Sequence, residues 1–443
     1  MAARHLPFRC AKVAFLPIVC ALMPVTAARA QVPPLLHDCA IEGEAARCGS
    51  LSVPEDHAQP DGRRIALPAI VLGKTGTGPA REPIFVLAGG PGQAATSLAQ
   101  SMGVLLREAR RTRDVVLIDQ RGTGGESRLQ CAPATRSFVV PLDPEGCLAR
   151  LSQKATLRLY GTESFVQDLE VARKALGYGR IVLYGMSYGT RAAYVYARRF
   201  PQSVAAVALL APAPITMPLL DSFAEDGRHS LDSIVDDCLA DRGCGHAFPR
   251  LRDEAGQVRR TISDPFHVLG LQLLQYSTAT AVQLPSIISA AASGNLAPLD
   301  AAAGKFRDEI VGQLALGLHL TIICGEDLTI GAANRPSVAR QEYSRACRDW
   351  PGAAVSPGHY DRVKVSLPAL VVVGEWDPVT SPRWAREAAA LFSQSQLVTL
   401  PKAGHIPAGY ERCLGTLVAG FLERGAVETS CGASVRRPPY VLK

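Results

Sequence analysis

A mostly parallel α/β sheet, covered by helices on both faces and broken by a helical insertion, is the fold this 443-residue sequence predicts. Three observations point there. Short, continuous apolar runs alternate with helix-length amphipathic stretches up to Leu210, the pattern of strands buried on both faces. The rhythm stops after Ala211-Pro212 and resumes at Ala369-Leu370-Val371-Val372-Val373. The pentapeptide Gly185-Met186-Ser187-Tyr188-Gly189 stands between an apolar run and a helix-like stretch.

In chain order, residues 31–62 read as loop-rich, and Arg64 to Leu72 alternates as an early strand. Ile84 to Ala88 is a short buried strand that ends in Gly89-Gly90-Pro91-Gly92. Val115 to Ile118 is another, ending in Asp119-Gln120-Arg121-Gly122. Ser164 to Leu176 places Phe165, Leu169, Ala172 and Leu176 on one helical face. Ile181 to Tyr184 is the strand before the pentapeptide, Thr190 to Arg199 the helix after it, and Val204 to Leu210 a further strand. Residues 213–365 carry helix-like stretches such as Ser222 to Leu239 and Gln257 to Ile262, and are expected to form a cap or lid near the strand ends. A last strand is expected at Gln396 to Leu400. The sheet domain is thus divided into residues 31–212 and 366–443, with the cap between them.

Residues 1–30 read as a secretory signal. Arg4, Arg9 and Lys12 precede an apolar run from Val13 to Val25, and Ala28-Arg29-Ala30 closes it. The run is too short and too proline-broken for a good spanning helix, so stable membrane insertion is not expected after cleavage. Cys20 is a poor lipid-attachment site, since Pro17 and Val19 stand where small residues are expected. The formal charge of +7 owes four positive charges to this segment, and nothing suggests nucleic-acid binding. With charged residues at 20% and hydrophobic ones at 47%, the chain can bury a large core and is not extensively disordered.

Ten cysteines follow the signal and fall into close sequential pairs. In an exported chain an even number implies disulfides. The pairing expected is Cys39–Cys48, Cys131–Cys147, Cys238–Cys244, Cys324–Cys347 and Cys413–Cys431, although sequence alone does not fix connectivity. No C-x-x-C or H-E-x-x-H occurs, so no metal is expected. Gly73-Lys74-Thr75 lacks the first glycine of a phosphate loop, because Pro68 occupies that position.

G-x-S-x-G between strand and helix is the sequence form of a nucleophile elbow, which presents the serine on a strained turn flanked by small residues. The motif alone is weak, and its partners decide the matter. Asp377 follows one late strand, in Gly374-Glu375-Trp376-Asp377-Pro378, and Glu375 is the alternative acid. His405 follows another, in Lys402-Ala403-Gly404-His405-Ile406-Pro407, and is the only histidine after Asp377. The order serine, acid, histidine is that of an α/β-hydrolase. A neutral imidazole would take the hydroxyl proton of Ser187 and return it to the leaving group, while the carboxylate fixes the tautomer. The oxyanion needs two backbone donors, expected from the amides of Tyr188 and Gly90. This chemistry requires no cofactor.

AGGPGQ (88–93), DQRGTGGES (119–127), LYGMSYGTR (183–191), GEWDPVT (374–380) and AGHIP (403–407) together resemble the peptidase branch of the α/β-hydrolases that holds proline iminopeptidases and secreted tripeptidyl aminopeptidases. CGSLSVPEDH (48–57) resembles the secreted tripeptidyl type, and Ala88 stands where proline iminopeptidases have histidine. The resemblance implies an α/β-hydrolase fold with a Ser-His-Asp triad, and its substrates include peptides, with esterases and amidases among the relatives.

An exopeptidase that reads a free N-terminus needs a carboxylate for the ammonium group. Glu326, or else Asp327, in Ile322-Ile323-Cys324-Gly325-Glu326-Asp327 is the candidate. Asp119 and Arg121 read as charges that order loops, and Trp350 and Trp376 as either pocket lining or packing. The expected function is an exported, periplasmic or secreted serine aminopeptidase acting on a peptide. An esterase on a small acyl substrate and a non-enzymatic binding protein are the alternatives.

Overall fold

The computed structural model describes residues 35–331 and 336–442. The expected signal segment lies outside them. The described residues form a nine-stranded sheet of β1 (Leu36–Ile41), β2 (Glu44–Pro54), β3 (Arg64–Leu72), β4 (Ile84–Leu87), β5 (Val115–Ile118), β6 (Ile181–Met186), β7 (Val204–Leu210), β8 (Val365–Gly374) and β9 (Phe392–Leu400). Its order is β1-β2-β3-β5-β4-β6-β7-β8-β9. The first three strands join antiparallel, and β3 meets β5 antiparallel. From β5 to β9 every pairing is parallel.

The central strands are buried on both faces, and the side-chain period of two sends alternate residues to opposite cores. Phe85, Leu87, Val116 and Ile118 pack with Phe165 and Leu169 of the helix Thr162–Ala175, Ala192 and Ala193 of Tyr188–Arg199, and Ala385 of Pro382–Ala390. Ile84, Val86, Val115 and Leu117 point the other way, onto Met102 of Ala99–Leu105 and Leu414, Leu417 and Phe421 of Glu411–Arg424.

Within the stretch 31–62 expected to be loop-rich, the described residues 35–62 depart from that expectation. β1 and β2 are a hairpin, turned by Glu42 and Gly43 at φ 47° and 82°. Two successive positive φ values suit the twist of a two-residue hairpin. The strands escaped notice because much of β1 and the start of β2 are exposed, so no apolar periodicity marks them. β9 likewise begins at Phe392 rather than Gln396, because Ser393, Gln394 and Ser395 are exposed on an edge strand.

Between β7 and β8 the described residues form helices and no strand. Among them are Leu219–Ala240, Leu251–Thr261, Leu284–Ala292, Ala297–Glu309, Leu316–Ile322 and Val338–Ala346, with a π-turn over Ile323–Asp327. These helices have their own apolar clusters, one of which takes in Tyr440 from the C-terminal tail. The tail is tied there by Arg437 to Asp237 at 2.7 Å and by the Val441 amide to the Val282 carbonyl. Five disulfides form, with the pairing expected from sequence. Among the described residues no single helix is long and apolar enough to cross a membrane.

Candidate active site

The chain runs from β4 to β5 on one side, then returns to β6 on the other side of β4. Such a reversal opens a crevice beyond the carboxyl ends of the two strands. The Gly89–Gly92 loop leaves β4 there, and Ser187 leaves β6. Ser187 has φ 52° and ψ −121°, a conformation that non-glycine residues rarely adopt. Its amide is held by the Leu210 carbonyl at 2.9 Å.

The flanking glycines are required by contact. A Cβ on Gly185 would lie 2.6 Å from the Gly189 carbonyl oxygen, and one on Gly189 would overlap the carbonyl oxygen of Leu87. Gly89 also passes close to the serine, since a Cβ there would meet Ser187 Cβ at 3.2 Å. The loop that carries Gly90 therefore runs beside the hydroxyl. The Tyr188 amide opens the helix Tyr188–Arg199, where the first amides have no intrahelical acceptor.

His405 reaches Ser187 Oγ from Nε2 at 2.9 Å, and its Nδ1 lies 2.9 and 3.0 Å from the two oxygens of Asp377. Asp377 is fully buried and also accepts the amides of Val379 and Thr380 and the Thr380 hydroxyl, at 2.8–2.9 Å. Burial opposes its ionisation, but the His405 ring and these donors outweigh it and hold the carboxyl below the usual aspartate value. The alternative acid, Glu375, instead accepts the Lys402 amide at 2.8 Å. Tyr276 packs its ring 4.7 Å from that of His405. An imidazole so oriented can accept a hydroxyl proton from Ser187 and return it to a leaving group.

Ser187 and His405 face a cavity of about 500 Å³, largely apolar, with walls from the insertion that include Phe223, Leu273, Phe306 and Leu314. The insertion also grips the Gly89–Gly92 loop. The Ala315 amide donates to the Gly92 carbonyl at 2.9 Å, and His319 Nδ1 lies 2.8 Å from the Pro91 carbonyl. Burial lowers the His319 pKa, so the ring is neutral, donates to Pro91 from Nδ1 and accepts the Tyr343 hydroxyl at Nε2, 2.7 Å away.

The expected ammonium anchors lie differently. Glu326 is buried and does not line the cavity. Its two oxygens accept the amide and hydroxyl of Thr162 at 2.7 and 2.6 Å. Asp327 does line the cavity, but forms a two-pronged pair with Arg191 at 2.9 and 3.0 Å. Sequence reading missed Arg191, Thr162 and Thr380 as partners. Arg191 and Thr380 lie within the motifs LYGMSYGTR and GEWDPVT, but only the fold shows what they touch.

Asp119 and Arg121 order loops. Asp119 accepts the Thr96 amide at 2.8 Å. Arg121, fully buried, grips Asp168 at 2.6 and 2.7 Å and donates to the carbonyls of Pro54, Glu55 and Leu159. Trp350 and Trp376 are packing residues outside the cavity lining, and Trp350 donates to Thr321 Oγ1 at 3.0 Å. Among the described residues no group of three or more His, Cys, Asp or Glu is placed to hold a metal ion.

The family model described as alpha/beta hydrolase fold matches residues 82–409. A tripeptidyl aminopeptidase of Streptomyces coelicolor is 29% identical over 211 residues, covering 42% of this chain and 38% of that protein. Serine protease Hip1 of Mycobacterium tuberculosis is 29% identical over 228 residues, covering 45% of this chain and 42% of that one. The match thus spans about two fifths of each curated relative. A solved serine hydrolase from Cycloclasticus zankles aligns over 85% of this chain and 98% of that one, at 13% identity and a TM-score of 0.45.

Proposed function

Because the chain belongs to the α/β-hydrolase fold family, we propose that it is an exported serine hydrolase that releases short N-terminal pieces from peptides. The observation that carries this reading is the line from Ser187 through His405 to Asp377, each link 2.9 Å, on a serine held at positive φ and facing a cavity. Ser187 attacks the carbonyl as His405 takes its proton. The tetrahedral oxyanion is met by the amides of Tyr188 and Gly90. His405 then protonates the leaving amine, and water hydrolyses the acyl-enzyme by the same route in reverse. Asp377 keeps the Nδ1 proton toward itself and stabilises the transient imidazolium.

The names of the two curated relatives support a peptide substrate. The five disulfides suit an oxidising compartment, which supports export. Of Glu326 and Asp327, Asp327 is the one that lines the cavity, together with the carboxylates Glu309 and Glu411.

One observation favours the second reading, an esterase on small acyl groups. Arg191 already neutralises Asp327, and the surrounding cavity wall is apolar. A panel of aminoacyl and tripeptidyl amides with free N-termini, beside acyl esters and N-blocked amides, separates the two. The peptidase reading expects free tripeptidyl or aminoacyl amides to be turned over with higher kcat/KM than their blocked forms. Turnover of esters alone would exclude it.

A further inference from the structure

We propose that Glu326 is a positioning residue, which acts through Thr162 and Tyr188 to fix the oxyanion site beside Ser187. The inference rests on the serine-hydrolase reading above, in which the Tyr188 amide is one of the two oxyanion donors.

Four buried groups form an unbroken chain behind the elbow. Gln120 Nε2 lies 3.1 Å from the Tyr188 hydroxyl, the hydroxyl lies 2.7 Å from Thr162 Oγ1, and Thr162 Oγ1 lies 2.6 Å from Glu326 Oε2. The other Glu326 oxygen takes the Thr162 amide at 2.7 Å. Burial pushes the Glu326 pKa up, against the pull of His359, Arg191 and the two Thr162 donors; in its carboxylate form Glu326 can only accept, and it then sets the direction of every bond in the chain. Thr162 must donate to Glu326 and therefore accepts from Tyr188. Tyr188 then has its own proton committed, and its oxygen is open to the Gln120 amide. The Tyr188 ring is thereby held by one donated and one accepted hydrogen bond, and its backbone amide is the first of the helix that follows Ser187.

The requirement for a carboxylate is specific. Thr162 presents two donors to one side chain, and only a carboxylate offers two acceptors at that spacing. Glutamine would put an N–H against one of them. Gly161 makes the approach possible, since a Cβ there would come within 3.0 Å of Glu326 Oε1. Burial keeps the Tyr188 hydroxyl protonated, as the chain requires. Glu326 lies on the π-turn of the insertion and the Cys324–Cys347 bridge is two residues away, so the insertion, and not only the sheet, sets the position of the oxyanion donor.

The test uses the full chain and four variants, Thr162→Val, Thr162→Ser, Glu326→Gln and Tyr188→Phe. Tyr188→Phe cuts the chain while leaving the Thr162–Glu326 bonds whole, so it serves where Thr162→Val folds poorly. Each is normalised to active sites titrated with a fluorophosphonate. The readouts are kcat and KM on an acyl ester, and the Ki of a boronic acid whose serine adduct places an oxygen in the oxyanion site. Thr162→Val, Glu326→Gln and Tyr188→Phe are expected to lower kcat per titrated site by roughly 10- to 100-fold, less than outright loss of an oxyanion donor, with little change in KM. The boronate Ki should rise by a similar factor, and Thr162→Ser should restore both. Wild-type kcat and Ki per active site in Tyr188→Phe and Thr162→Val would overturn the inference, as would a rise in KM confined to substrates with free N-termini. A wild-type chain that fails to react with the fluorophosphonate would instead sink the serine-hydrolase reading itself.

Discussion

Replacing Asp327 with asparagine should destabilise the protein more than any other single charge neutralisation in the insertion. Asp327 and Arg191 are 1% and 2% exposed in their side chains and meet at 2.9 and 3.0 Å. Burial works against the guanidinium's charge, and the Asp327 carboxylate restores it and holds the Arg191 pKa above its usual value. Arg191 Nε is buried without a hydrogen-bond partner, so the carboxylate is the group that chiefly compensates this cation. At a charge separation of about 4 Å and an effective dielectric near 20, the attraction is about 4 kcal/mol. Removing one partner of such a pair, which strands the other charge, costs about 3–5 kcal/mol. Unfolding entropy of about 2.1 cal/mol/K per residue over roughly 400 residues gives about 0.8 kcal/mol/K, so the melting temperature should fall by roughly 4–6 °C. Differential scanning calorimetry of Asp327→Asn, Arg191→Met and the double variant Arg191→Met/Asp327→Leu measures this directly. The double variant should lose less than the sum of the single variants, because it leaves no buried charge unpaired. A melting temperature for Asp327→Asn within about 1 °C of wild type, or additive single effects, would refute the reasoning.

Asp377→Asn should lower kcat by about 10⁴-fold, since the amide favours the wrong imidazole tautomer, as measured by initial rates on an acyl ester. The same residue gives a pH signature. Its folded pKa is depressed, because the His405 ring and its hydrogen bonds outweigh burial. Its stabilisation is therefore complete above the ordinary aspartate value of about 3.9 and is lost as pH falls through the lower folded value. Urea unfolding of wild type should thus weaken below about pH 4 more steeply than that of Asp377→Asn, and parallel curves would contradict the assignment. Cys324→Ser/Cys347→Ser opens a loop of 23 residues' separation and should cost about 3 kcal/mol, seen as a fall in melting temperature of about 4 °C.

Much of the sheet was legible because its central strands are buried on both faces. Val115 to Ile118 and Val204 to Leu210 are continuous apolar runs, and their ends are as expected. The β1–β2 hairpin was not legible, because Asp38, Ala40, Arg47 and Ser50 face solvent or lie near it and leave no periodicity to read. The order and spacing of Ser187, Asp377 and His405 along the chain told which loops would meet. What could not be read was the side-chain direction within the insertion. Glu326 and Asp327 are adjacent and chemically alike, yet a π-turn sends one to Thr162 and the other to Arg191 at the cavity wall. A pair of carboxylates near a disulfide suggested a substrate anchor. Their partners lie some 136 and 164 residues away in sequence, beyond the reach of any local pattern.

The central claim is that Ser187 is the nucleophile of an acyl-transfer site. Its most direct test is intact-protein and peptide mass spectrometry after exposure to a fluorophosphonate, on wild type and on Ser187→Ala and His405→Ala. One covalent adduct per chain, located at Ser187 and absent from Ser187→Ala, with labelling slowed by orders of magnitude in His405→Ala, is the predicted result. No adduct on the wild-type chain, or an adduct that persists in Ser187→Ala, would contradict it.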